Sequence, residues 1–275
     1  MQLVTTAAGI GRVEGDEVAL LDVPFPDLGA VLWAHESLES LEGAPVRDRR
    51  PLETVTLRAP VPRPGKVWAI GVNYRSHAAE TGREPPAVPI VFVKVTSAVT
   101  ATRHAICLPA AAPTHVDFEG EVAVVIGRRA SSVRAADAWA HVAGITACDD
   151  VTARDVQRGT GNFGLAKSFD TFCPLGGSLV TVDEYADPDD IELTTVVDGE
   201  QRQHARTSDL IFGVPELVEY LSAHTTLEPG DVISTGTPSG VGMVDERFLA
   251  PGSRVEIRVE RVLPLRNEVA GAPAG

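Results

Sequence analysis

The chain has 275 residues, 44% hydrophobic and 23% charged, with a formal net charge of −14 at pH 7. This is a globular composition, long enough for one large domain or for one with a small appendage. Such an excess of carboxylates argues against a nucleic-acid partner, which calls for basic stripes, and suits a cation held at an acidic centre. The three cysteines, Cys107, Cys148 and Cys173, lie far apart with neither metal nor disulfide spacing, as befits a reducing compartment. Neither a basic-then-apolar leader nor an apolar run of bilayer length is visible, so a cytoplasmic protein without a membrane partner is expected.

In chain order, residues 2–23 ("QLVTTAAGIGRVEGDEVALLDV") predict a short hairpin with glycine-bearing turns. Residues 27–41 ("DLGAVLWAHESLESL") place Leu28, Val31, Leu32, Leu38 and Leu41 at helical spacing. Pro45, Pro51, Pro60, Pro62 and Pro64 then mark a linker. The expected division is a small N-terminal α+β domain with its linker over 1–60, and a larger domain over 61–275. Strands are predicted at "KVWAIGVNY", "IVFVKV", "EVAVVIG", "IELTTVVDG", "DVISTG" and "RVEIRVERV", and helices at 134–142, 149–158 and 214–223. The fold class is therefore α+β and β-rich, a roll or barrel rather than a doubly wound sheet.

Residues 116–127 ("VDFEGEVAVVIG") carry Asp117, Glu119 and Glu121 at every second position. On a strand these share one face, while Phe118, Gly120, Val122 and Val124 share the other. The pattern is either a solvated acidic face or a set of ligands converging on one cation. A helix over 149–158, capped by Asp149 or Asp150, would align Asp150, Arg154 and Gln157 on one side. His77 and Glu80 meet if "GVNYRSHAAETG" turns helically, and a carboxylate there would fix the imidazole tautomer and raise its basicity. The proline-rich "TGREPPAVP" reads as part of a loop able to close over a site. "GTGNFG" follows a predicted helix, the wrong order for a dinucleotide fingerprint. "GTPSGVG", 236–242, reads as a tight turn whose amides and Thr237 hydroxyl approach a ligand. Of two lysines in apolar surroundings, Lys94 and Lys167, the latter follows the acidic helix closely and is assigned to the site.

Together, "GVNYRSHAAE", "VDFEGEVAVVIG", "GITACDDVTARDVQ", "LAKSFDTFCPLG" and "LEPGDVISTGTPSGVG" resemble, in order, the motifs of the fumarylacetoacetate hydrolase family. The resemblance implies a compact mixed β-sheet roll, a homodimer and a divalent cation, Mg²⁺ or alternatively Mn²⁺ or Ca²⁺. It implies Glu119, Glu121 and Asp150 as metal ligands, with Asp117 flanking them. It further implies His77 and Glu80 as a water-activating dyad, Lys167 as a catalytic residue, and Tyr74, Arg154, Gln157 and Thr237 as substrate contacts.

The reaction so implied is hydrolysis of a carbon–carbon bond in a 2,4-diketo acid of the acylpyruvate or fumarylpyruvate type. The alternatives are decarboxylation of oxaloacetate, decarboxylation and isomerisation of a 2-hydroxy-diene-dioate, or a non-catalytic metal-stabilised binding protein. A retaining glycosidase built on Glu119 and Glu121 is disfavoured, since aromatic residues are only 5% of the chain and no Trp lies near these motifs to stack on a sugar.

Overall fold

The computed structural model describes residues 1–272. Its backbone is a twelve-stranded mixed sheet and a five-stranded sheet, with a two-stranded ribbon beside the site. The centre of the large sheet is the strand Gly120–Ile126, flanked antiparallel by Val142–Asp149 on one side and Val232–Ser234 on the other. Beyond Val232–Ser234 the sheet continues through Val67–Gly71, parallel, to the edge strand Ile90–Lys94. All seven residues of the central strand are buried. Its alternation sends Val122, Val124 and Ile126 into the largest core and Ala123 and Val125 into a second. A strand buried on both faces reads as a nearly continuous apolar run, and this one does after Glu121.

The N-terminal residues form an antiparallel meander of Gln2–Thr6, Gly9–Glu14 and Glu17–Leu21, one strand longer than the expected hairpin. Gln2–Thr6 pairs with Leu179–Thr181, so the meander extends the large sheet. The helix expected after it runs only from Leu28 to His35 and ends at Glu36, which adopts a left-handed conformation. Leu38 and Leu41 are nevertheless buried in the same core as Leu28 and Val31. Part of the predicted linker, Val46–Pro51, is an exposed strand on Glu17–Leu21. Its charged "RDRR" run suits an edge strand and masks it from periodicity arguments.

Two further differences bear on the site. The strand expected over 116–127 is interrupted after Asp117, because the Asp149 and Gln203 side chains take the Glu119 and Gly120 amides at 2.9 and 3.0 Å. The helix expected over 149–158 begins only at Arg154; residues up to Asp149 belong to a strand. The reason is competition: "VAGITACD" pairs along the whole central strand, and Thr152 and Ala153 pair with Asp117 and Val116. Asp150 therefore lies in the link between two strands, not on the helix. The helix expected over 134–142 is a 3-10 segment, Ala135–His141, packed on the regular helix Val214–His224. Among the described residues, no helix is long and apolar enough to cross a membrane.

Candidate metal centre and active-site cavity

Glu119, Glu121 and Asp150 are all buried, and each offers an oxygen within 4.8 Å of the others'. Glu121 stands on the central strand, Glu119 in the break just before it, and Asp150 directly follows the antiparallel partner Val142–Asp149. The face of Glu121 leads along the strand into the core around Ala123 and Val125, so the carboxylates are buried rather than part of a solvated acidic surface.

Basic groups knit the cluster together. Lys167 Nζ donates to Glu119 Oε2 and Asp150 Oδ2, both at 2.6 Å. Lys94 Nζ donates to Asp150 Oδ1 at 2.5 Å. Arg154 Nη2 lies 2.5 Å from Glu119 Oε1 and 2.7 Å from Asp117 Oδ2, and its Nε donates to that Asp117 oxygen at 2.8 Å. Glu121 Oε2 accepts from Ser234 Oγ at 2.6 Å and from the Gly236 amide at 2.8 Å.

The charges do not balance. Five buried carboxylates (Asp117, Glu119, Glu121, Asp149 and Asp150) face three buried cations (Lys94, Arg154 and Lys167). Fully ionised, the cluster would hold two excess negative charges, and uncompensated buried charge is costly. One divalent cation would cancel them, and an all-oxygen donor set suits a hard ion. Burial, then the charges of Asp150 and Glu119, pushes the Glu121 carboxyl well above its usual range. Burial would raise Glu119 too, but Lys167 and Arg154 outweigh it and hold that carboxyl low. Asp149, pushed up to about 7 chiefly by burial, leaves Oδ2 without a partner. The residues present fit a divalent cation.

A cavity of about 310 Å³ opens over this cluster. His77 Nδ1 lies 2.7 Å from Glu80 Oε1. A carboxylate only accepts, so Nδ1 carries the proton and Nε2 is left as the basic nitrogen. Glu80 Oε2 in turn accepts from the Gly240 amide at 2.9 Å. The turn 236–243 thus serves three carboxylates at once, since Gly242 and Met243 donate their amides to Asp117 at 2.8 and 3.0 Å. Gly236 has φ +104, and a Cβ there would crowd Asn73. Val72, on the cavity wall, has φ +54, a strained conformation for a β-branched residue.

Of the residues singled out in the sequence, His77, Glu80, Glu119, Arg154, Gln157, Lys167 and Thr237 line this cavity. Glu121 and Asp150 lie behind Glu119, against Ser234 and the two lysines. Tyr74 is not on the cavity wall: it is buried, its hydroxyl without a partner. The Thr237 hydroxyl donates to the Gly120 carbonyl at 2.9 Å and accepts from Gln203 Nε2 at 2.8 Å, so its proton holds the strand in place. The amides of the 236–243 turn likewise meet protein carboxylates. Two participants escaped the sequence reading. Lys94 was visible as an oddity in "VFVKV", but nothing local pointed to Asp150. Gln203, on the five-stranded sheet, had no signal at all.

Residues 66–270 match the fumarylacetoacetate (FAA) hydrolase C-terminal family, and the chain belongs to it. Oxaloacetate tautomerase YisK of Bacillus subtilis is 43% identical over 225 residues, 79% of this chain and 74% of that protein. Among solved structures, 2-hydroxyhepta-2,4-diene-1,7-dioate isomerase from Mycobacterium marinum superposes with a TM-score of 0.82 at 35% identity, covering 100% of both chains. Maleylpyruvate hydrolase from Sphingobium sp. SYK-6, in complex with manganese(II) ion and pyruvate, gives 0.81 at 31% identity, covering 99% of this chain and 100% of the other. The family thus holds tautomerases, isomerases and hydrolases, and the mixed, strand-rich α+β fold is theirs.

Proposed function

We propose that the chain is an enolising enzyme of 2-oxo acids, interconverting the keto and enol forms of an oxaloacetate-type substrate. The observation that carries this reading is His77, its Nδ1 committed to Glu80, lining the same cavity as Glu119 of the carboxylate triad. All the reactions named for the relatives fit the chemistry of an enol or enolate beside a 2-oxo acid. The tautomerase stands first because its relative is 43% identical, against 31% for the hydrolase.

In the keto-to-enol direction, His77 Nε2 removes a proton from C3. The C–H electron pair forms the C2–C3 double bond, and the carbonyl pair moves to the 2-oxo oxygen. Returning the proton from the imidazolium to that oxygen completes the enol, with no net redox change. Glu80 stabilises the imidazolium meanwhile. Lys167 and Gln157 border the same space and would donate hydrogen bonds to the developing oxyanion, an effect each typically worth about 3 kcal/mol. A divalent cation held by Glu119, Glu121 and Asp150, Mg²⁺ or Mn²⁺ in this proposal, would supply Lewis-acid stabilisation of the enolate charge.

A second reading, hydrolysis of an acylpyruvate-type diketo acid, is supported by the same free Nε2, which would equally deprotonate a water molecule. The two are separated by following decay of enol-oxaloacetate absorbance with Mg²⁺, alongside loss of the acetylpyruvate and fumarylpyruvate bands. Faster ketonisation alone supports the tautomerase, and diketo-acid cleavage alone gives the hydrolase. Metal binding with neither activity leaves a binding protein. The proposal includes a homodimer, supported by the exposed Ile90 and Val93 on the edge strand Ile90–Lys94 and Val88 and Val95 flanking it, and light scattering tests it.

A further inference from the structure

The cavity poses a separate question of charge. Three side chains with fixed positive charge border it: Arg83, Arg154 and Lys167. Two are already engaged. Arg154 is held between Asp117 and Glu119, and Lys167 between Glu119 and Asp150. Neither has a full charge to spare for a substrate anion.

Arg83 is the exception. It is exposed, and its backbone amide closes the end of helix Arg75–Glu80 on the Ala78 carbonyl at 2.9 Å. Among the described residues its guanidinium pairs with no carboxylate, yet it borders the cavity that His77 and Glu119 share. Gly82 before it has φ +65, so a left-handed turn sets Arg83 on the rim immediately after the helix carrying the dyad. Much of the remaining wall is apolar, with Ile70, Phe92, Phe163 and Val244, and would by itself favour an uncharged tail. A guanidinium has the planar, two-pronged donor geometry that a carboxylate fits.

We propose that Arg83 is a specificity-determining residue that binds the distal carboxylate of the substrate, so the chain selects 2-oxo acids bearing a second carboxylate. The proposal rests on the enolising reading above. A solvated surface arginine contributes nothing to the choice of substrate; this one would discriminate between diacids and monoacids while leaving the reacting end untouched.

The test compares oxaloacetate with 2-oxobutyrate, a monoacid of the same length, following deuterium exchange at C3 in the Mg²⁺-loaded protein. Arg83→Gln should raise KM for the diacid about 10- to 100-fold, the range for a charge-assisted pair, with kcat little changed. The monoacid should be unaffected and Arg83→Lys should recover part of the loss. An equal effect on both acids, or none on either, overturns the proposal. Calorimetric binding of the same two acids provides the arm that does not need turnover. If the wild type exchanges neither acid, the enolising reading fails, but binding still decides: Arg83→Gln must weaken the diacid alone.

Discussion

Two segments of this molecule carry charges at every second position, and they end in opposite environments. In "VDFEGEVAVVIG" the charges of Asp117, Glu119 and Glu121 are buried; in "RVEIRVERV" Arg258 is exposed, while Glu256 meets Arg258 and Arg266 at the surface. The alternation is the same; the neighbours differ. Arg254–Val259 packs Val255, Ile257 and Val259 inward and leaves its other face to solvent. The central strand has sheet partners on both sides and a core on both faces, so its charged end is walled in except where Glu119 meets the cavity. Three basic side chains answer it from elsewhere in the chain. Burying charges on one face is what a site requires, and period-two patterning cannot tell that case from the surface one.

The contrast is sharpest in activity. Glu119→Gln should lower the rate with any substrate that is turned over by about 10²–10³-fold, the scale for losing one key electrostatic group. Glu256→Gln should leave the rate unchanged. Parallel steady-state measurements check both, and a comparable loss in the second variant would dissolve the distinction.

Stability offers the next test. Arg154→Met leaves Asp117 and Glu119 facing each other without their shared counter-charge, and should cost about 3–5 kcal/mol in urea unfolding. Arg266→Met on the exposed strand should cost at most about 1 kcal/mol. Were the two equal, the buried network would be no more than a surface ion pair moved inward.

The charge imbalance makes a third difference. Mg²⁺ at a hundredfold excess over its Kd should stabilise the wild type by about 2.7 kcal/mol, and chelator should remove that gain. Glu121→Gln should abolish most of the response, whereas Glu256→Gln should preserve it. Thermal melts with and without the ion read this directly.

How much of this was legible in the sequence follows the same division. The central strand, the Val214–His224 helix and the strands Val232–Ser234 and Arg254–Val259 were readable because local pattern and tertiary role agree. Seven of the ten singled-out residues reach one cavity, because the motifs carrying them sit where the strands converge. The failures are places where distant side chains decide local structure. Asp149 looked like a helix cap, but its carboxylate is taken by the Glu119 amide across the hairpin. The 236–242 turn looked like a ligand cradle, yet its amides meet Glu121, Glu80 and Asp117. Such exchanges of hydrogen-bond partner leave no periodic trace.

A third acidic position, Asp231, lies between the two extremes and gives the smallest effect. Its side chain is buried like those of the site, but its one cation, Lys66 Nζ at 2.7 Å, is partly exposed. Burial raises its pKa, and Lys66 opposes that rise. The folded carboxyl therefore keeps its proton to higher pH than the unfolded one, so stability falls as pH rises from the unfolded pKa through the folded one. Lys66→Met should lift the folded pKa further. The variant's deficit should then be about 1–2 kcal/mol at pH 7, as for an imperfectly compensated buried group, and should shrink towards pH 4 as the folded Asp231 takes up its proton in wild type and variant alike. Urea unfolding across that range checks the sign. A deficit that is flat or larger in acid would mean that Lys66 acts through packing, and that partial exposure already suffices to solvate the Asp231 charge.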